Sequence, residues 1–158
     1  TGSKLLEDSA INAYKKLLLP IADLVTPNIY EANLLCGLKI KTKEDMITAA
    51  SKLIDLGAKN VLIKGGHLNT KKVEDIFLNK SDLTVFKSSR HNTKNTHGTG
   101  CTLSSAITTF FSCGKSIKKA CDLGIKYVNS AILTNPNYGK GHGPVNHLTS
   151  MEINNRFK

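Results

Sequence analysis

The chain reads as an α/β protein with a parallel core sheet, and three features predict it. Asn60 to Lys64 (Asn-Val-Leu-Ile-Lys) is a run rich in β-branched residues, of the kind found in a buried parallel strand. Short runs of this kind alternate with longer segments whose apolar residues recur at helical spacing. The length of 158 residues, with 40% hydrophobic and 22% charged, suits one globular domain spanning 1–158. A chain of this size buries roughly 70% of its unfolded surface and needs no metal or disulfide staple. Global disorder is excluded.

In chain order, Ser9 is placed to cap a helix reaching about Leu19, where Pro20 ends it. Ala22 to Thr26 reads as a short apolar strand closed by Thr26-Pro27. Asn28 opens a short helix that Gly37 stops. Thr42 and Asp45 form a capping-box start, and Met46, Ala49, Ala50, Leu53 and Ile54 give that helix its apolar face as far as Gly57. The strand at Asn60 to Lys64 is broken by Gly65-Gly66. Val73 to Leu78 and Leu83 to Lys87 are strands joined by a turn at Asn79 to Asp82. After a polar loop from Ser88 to His97, glycines open a helix carrying Leu103, Ala106, Ile107, Phe110 and Phe111 on one face. Ser116 begins another helix, faced by Ile117, Ala120, Cys121, Gly124, Ile125, Val128 and Ile132, which ends at Asn135-Pro136. Gly139 to Pro144 is a loop, and 148–158 is expected to be a flexible tail.

Composition narrows the function classes. Twenty-two basic residues against 12 acidic give a net charge of +10, which favours anionic partners. The basic residues are nearly all lysines scattered along the chain, and no tract interleaves them with aromatic side chains, so nucleic acid is not the expected partner. No apolar run approaches a membrane span, and the opening residues lack the order of an export signal, which predicts no membrane association and a cytoplasmic protein. The four cysteines, Cys36, Cys101, Cys113 and Cys121, form no metal-binding pair and suggest reduced thiols. Cys113 and Cys121, on apolar helical faces, read as buried. Gly114-Lys115-Ser116 imitates the end of a P-loop, but Thr109 stands where that motif needs a glycine, so it reads as a turn between helices.

The stretch richest in chemistry is Asn95-Thr96-His97-Gly98-Thr99-Gly100-Cys101, a glycine-rich turn feeding a helix. Small residues allow close backbone approach, and unpaired N–H groups with the positive end of the helix dipole favour an anion there. In phosphoryl transfer most of the catalytic work is positioning and charge stabilisation, which is what such a turn offers. An ordinary glycine-rich helix start would have the same composition. Cys101 falls in the first turn of the helix, where the dipole favours a thiolate able to accept a proton. Lys64 ends a buried strand and must send its ammonium out at the carboxyl edge of the sheet, where ligands of open α/β sheets bind; phosphate is its natural partner. A lysine snorkelling at a strand end is the plainer alternative. Asn28 and Glu31 are spaced as a helix cap.

The Asn95 to Cys101 segment resembles the anion-hole signature of the ribokinase superfamily, in the variant of hydroxymethylpyrimidine and phosphomethylpyrimidine kinases of thiamine synthesis, where cysteine replaces the final aspartate. The resemblance extends through Ala22 to Asn28 with Glu31, Val61 to His67, and Gly141-His142-Gly143-Pro144, so it spans the chain from about Leu5 to His147. It implies a ribokinase-like three-layer sandwich with a mostly parallel central sheet whose N-terminal portion is missing. It also implies ATP-dependent phosphorylation of a hydroxymethylpyrimidine and its monophosphate. The family roles carried over make Gly98, Thr99, Gly100 and Cys101 catalytic, and set Lys64, Gly65, Gly66, Thr96 and Lys126 toward the nucleotide. Asp23, Asn28 and Glu31 would hold Mg2+, a hard cation that prefers oxygen ligands. Lys126 is explained equally by a solvated helix face, and His67 shares the family context without a physical role. The implied partners are a small pyrimidine substrate and either the missing N-terminal portion or a second copy. Pyridoxal kinases of the same superfamily and a truncated, non-catalytic nucleotide-binding module are the alternative functions.

Overall fold

The computed structural model describes residues 7–149, which divide at Lys87 and Ser88 into two compact units. In the first unit, helix α1 (Asp8–Ala13) runs directly into a π-helical turn at Tyr14–Leu18. Here the structure departs from the expected α-helix capped by Ser9. Glu7 is the N-cap, with no side-chain cap bond, and Ser9 lies inside the helix. The widened turn has Leu19 N–H donating to the Tyr14 carbonyl, five residues back, and Leu19 is fully buried while Leu17 and Leu18 stay exposed.

The remaining helices of this unit begin as local chemistry dictates. Helix α2 (Ile29–Cys36) starts at Asn28 with a reciprocal capping box to Glu31 and ends at Gly37, whose φ of 62° is left-handed. Helix α3 (Lys43–Asp55) starts at Thr42 with the matching box to Asp45. Its buried face, Met46, Ala49, Ala50 and Leu53, joins Val61, Ile63 and Ile76 in one hydrophobic core.

Strands β1 (Asn60–Ile63), β2 (Lys72–Asn79) and β3 (Leu83–Ser89) form a three-stranded sheet in that order. In this unit the expected parallel character is restricted to one side of β1. There the expected Ala22 to Thr26 strand makes one isolated parallel bridge, Val25 with Val61, and Asn28 just beyond it makes another with Lys64. The Val25 N–H donates to Asn60 O, Leu62 N–H to Val25 O and Lys64 N–H to Pro27 O. Pro27 has no N–H to extend the ladder. On its other side β1 pairs antiparallel with β2, from Asn60 opposite Asn79 to Ile63 opposite Ile76. The cause is the connection: Gly65-Gly66 and a few polar residues link β1 to β2 without the crossover helix that a parallel pair requires.

The second unit is built on helices α4 (Thr99–Ser112) and α5 (Ile117–Leu133), with Ser116 accepting from Lys119 N–H as the cap of α5. Leu103 and Ile107 are buried on α4, and Ala120, Cys121, Gly124, Ile125, Val128 and Ala131 on α5. A side chain at Gly124 would come within 2.7 Å of Ile107 Cγ1, so glycine permits this close helix approach. Phe111 is exposed and Phe110 half-buried, so the apolar face of α4 is only partly covered. Cys113, expected to be buried, is exposed beside the turn at Gly114; Cys121 is buried as expected. Thr149 is fully buried and its hydroxyl meets those of Ser130 and Thr134, so ordered packing continues past Leu148. The rest of the expected tail lies outside the described residues. No helix among the described residues is long and apolar enough to cross a membrane.

Candidate active site

In the second unit the turn before α4 is held by its own backbone. Gly98 is the N-cap with φ of 84°, an angle that favours glycine, although a Cβ there would meet nothing within 4 Å. Thr99 N–H donates to Thr96 O, while Thr102 N–H and Oγ1 both donate to Gly98 O. The backbone N–H groups of Gly98, Gly100 and Cys101 meet no acceptor among the described residues. Cys101 is a free, exposed thiol in the same first helical turn, and Thr96 is exposed just upstream. A half-buried helix start with unsatisfied amides can hold an anion, and the exposed sulfur beside it can accept a proton.

Two of the sequence blocks meet here. His97 N–H donates to Gly143 O at 3.2 Å, and His97 forms a parallel bridge with Pro144. A ring nitrogen of His142, Nδ1, lies 3.1 Å from Lys94 O. Asn95, buried beneath them, accepts from Gly143 N–H and donates to Asn135 and Asn137. The sequence places Asn95 at the head of the motif but reveals no role for it, because its partners lie 40 or more residues away.

The other two blocks meet in the first unit, where the parallel bridge sets Asn28 beside Lys64. The capping reading of Asn28 and Glu31 holds: Asn28 N–H donates to Glu31 Oε2 at 2.7 Å and Glu31 N–H to Asn28 Oδ1 at 2.9 Å. Burial and then the Glu31 charge push the nearby Tyr14 phenol up from its ordinary value. Lys64 is half-buried at the end of the sheet. Gly65 lies so close to β2 that a Cβ would collide with the Glu74 carbonyl oxygen, and its N–H donates to Asp75 Oδ1 at 2.8 Å. The Asp75 carboxyl is buried, and desolvation pushes its pKa up to about 6 against the opposing pull of the Gly65 amide and the Lys64 charge. Sequence reasoning missed Asp75; the available signal was an acid immediately preceding the apolar run Ile76-Phe77-Leu78. His67 packs edge-on against Tyr30, with ring centroids 4.9 Å apart.

Two expected site residues are placed elsewhere. Asp23 is not brought to Asn28 and Glu31. It precedes the Val25 bridge, at the Asn60 end of β1, and its exposed carboxylate pairs with Lys59 at 3.0 Å. Lys126 shares Asp122 with Lys119 on the surface of α5, the arrangement of a solvated helix face. The hydrogen bond from Lys119 leads the contacts that hold the Asp122 carboxyl below its usual range.

Among the described residues no cluster of three or more His, Cys, Asp or Glu could hold a metal ion. Glu31 and Asn28 offer oxygen donors only, which fits Mg2+ retained largely by water and nucleotide phosphates rather than by a protein cage.

Comparisons with known proteins identify the family and the fold. The phosphomethylpyrimidine kinase family matches residues 1–146. A thiamine biosynthesis bifunctional protein of Geobacter sulfurreducens is 44% identical over 96% of this chain and 31% of its own length. A hydroxymethylpyrimidine/phosphomethylpyrimidine kinase of Staphylococcus aureus is 36% identical over 96% of this chain and 56% of its own. The structure of the pyridoxal kinase from Staphylococcus aureus in complex with AMP-PCP and pyridoxal superposes with a TM-score of 0.91 at 35% identity, covering 96% of this chain and 57% of that one. The chain thus spans about half the length of the single-function kinases it matches, and its α/β fold is the ribokinase-like fold of these neighbours. With the family signature across nearly all of its length, and with the signature blocks paired in space within each unit, the chain belongs to the phosphomethylpyrimidine kinase family.

Proposed function

We propose that this chain carries the phosphate-binding and proton-accepting part of a kinase that transfers the γ-phosphoryl of ATP to the hydroxymethyl group of a hydroxymethylpyrimidine, and then to the resulting phosphate. The observation that carries the reading is the start of α4, where unsatisfied amides of Gly98, Gly100 and Cys101 share one turn with an exposed thiol. Those amides and Thr99 hold the migrating phosphoryl group, and Thr96 and Lys64 bind the nucleotide phosphates, with Gly65 and Gly66 shaping the turn beyond Lys64. Asn28 and Glu31 would hold Mg2+, which would supply charge neutralisation to the nucleotide phosphates. Cys101 removes the alcohol proton as the substrate oxygen bonds to phosphorus and ADP leaves with the bridging oxygen.

Selective protection of the thiol tests this reading. Iodoacetamide modification, followed peptide by peptide, should slow at Cys101 when ATP and Mg2+ are added, while the exposed Cys113 at the other end of α4 serves as the internal reference. No slowing, or equal slowing at both cysteines, overturns the assignment. The likeness to the pyridoxal kinase structure favours pyridoxal as a second acceptor. Offering both alcohols to the complete kinase in one competition assay identifies the substrate by which phosphate ester forms first.

A further inference from the structure

The turn that presents Gly98 to Cys101 is anchored through one buried amide. Asn95 makes three side-chain bonds: Nδ2 donates to Oδ1 of both Asn135 and Asn137, and Oδ1 accepts from Gly143 N–H at 3.1 Å. Asn135 is itself fixed, since its Nδ2 donates to Ile132 O at the end of α5 and its Oδ1 also accepts from Asn137 N–H. Asn137 adopts φ of 55°, a left-handed angle that asparagine tolerates better than most residues. A Cβ at Gly143 would overlap the Asn95 side-chain oxygen, so glycine is needed for the approach. Two residues past Asn95, the bond from His97 N–H to Gly143 O continues the same seam. The loop after α5 thereby fixes the loop before α4, and no buried side-chain nitrogen or oxygen among the described residues is left unpaired.

We propose that Asn95 is a positioning residue, whose bonds to Asn135, Asn137 and Gly143 hold the Gly98 to Cys101 turn in the geometry that grips a phosphoryl group. An apolar side chain at 95 would leave the Gly143 amide and two asparagine oxygens without this partner, and the turn would lose its anchor. The inference rests on the phosphate reading of that turn, and the experiment separates the two. In the 158-residue chain, the alkylation rate of Cys101 relative to Cys113 is measured without and with ATP and Mg2+, for wild type, Asn95→Ala, Asn137→Gly and the cavity control Val128→Ala.

The expected result has three parts. Asn95→Ala changes the ligand-free Cys101 to Cys113 ratio and raises the ATP concentration for half-protection roughly tenfold, the consequence of losing a buried hydrogen-bond partner. Asn137→Gly, which suits the left-handed backbone and removes a single acceptor, shifts both readouts in the same direction by less. Val128→Ala lowers the melting temperature but leaves both readouts at wild-type values, as a merely structural role at position 95 would also do. If folded Asn95→Ala matches wild type in both readouts, the positioning role is overturned. If Asn95→Ala does not fold, Asn137→Gly decides in the same way. If ATP protects no variant, wild type included, yet the ligand-free ratio shifts in the two asparagine variants alone, the positioning role stands and the phosphate reading falls.

Discussion

Asp75 holds a carboxyl group where β2 offers it little solvent, with the Gly65 amide as its hydrogen-bond donor. Burial raises its pKa to about 6 from an ordinary value of 3.8, a difference worth about 3 kcal/mol. The sign follows from proton counting. Below about pH 4 the group is protonated in both states and contributes no penalty. As the pH rises from about 4 to about 6, the unfolded chain releases the proton while the folded chain retains it, so stability falls; above about 6 the full penalty is present. Asp75→Asn keeps an oxygen for the Gly65 amide and removes the titration. The stability of wild type relative to Asp75→Asn, from urea unfolding across this range, should therefore fall with rising pH and then level off. A flat or rising difference contradicts the burial argument. Cys101 supports a second prediction, made on the proposed function in the complete kinase. An alcohol must lose a proton when it attacks, whereas a phosphate monoester is already largely ionised near neutral pH. Cys101→Ala should reduce kcat for the first phosphorylation more than for the second, and equal losses would remove the proton-accepting role.

Local elements were the most legible, because their causes lie within a few residues. Both capping boxes, Asn28 with Glu31 and Thr42 with Asp45, could be read from spacing alone and both formed. Removing the Thr42 hydroxyl in Thr42→Ala should cost about 1 kcal/mol in denaturant unfolding, the usual worth of such a cap, and no loss would mean that the box is incidental. Strand direction was less legible, since it depends on what connects the strands. The sequence marked Gly65-Gly66 as a break, yet only the register of β1 on β2 shows that the break is a reversal. The same register gives those glycines different work. Gly65→Ala would drive a methyl into the Glu74 carbonyl oxygen, a backbone atom that cannot rotate away, and should cost about 1–3 kcal/mol or more as β1 and β2 part. Gly66→Ala meets nothing within 4 Å and should change stability by less than about 0.5 kcal/mol. Thermal melts that rank the two variants equally would refute the close approach. Asp23 was carried over from the family resemblance and Cys113 was placed by helical spacing; the structure sets Asp23 in an exposed ion pair with Lys59 and Cys113 exposed at the C-cap of α4.

At the scale of the chain, the four blocks of the family signature were readable as sequence, and the structure pairs them two by two: Asn28 with Lys64 in one unit, and His97 with Pro144 in the other. On the proposed function, the amides at the start of α4 and the Lys64 ammonium suit phosphate, while the Asn28 and Glu31 oxygens suit a hard cation. The alcohol needs a different kind of control. A hydroxyl must be held against the phosphorus within a few tenths of an ångström, and most of the rate advantage of an enzyme with little covalent chemistry comes from that placement. This chain corresponds to 56% of the length of the Staphylococcus aureus hydroxymethylpyrimidine/phosphomethylpyrimidine kinase, and the proposed function assigns acceptor placement to the unmatched part of that relative. Nucleotide contact and turnover should therefore separate. Purified 158-residue material should show ATP-dependent protection of Cys101 while phosphorylating a hydroxymethylpyrimidine at least about 100-fold more slowly than the full-length relative, the scale of loss expected when an acceptor is poorly placed. Supplying in trans the part of the relative that is unmatched here should raise the rate while leaving the Cys101 dependence intact. Turnover by this chain alone at the full-length rate would show that its own two units suffice to place the alcohol, and the division between phosphate binding and acceptor placement would then be wrong.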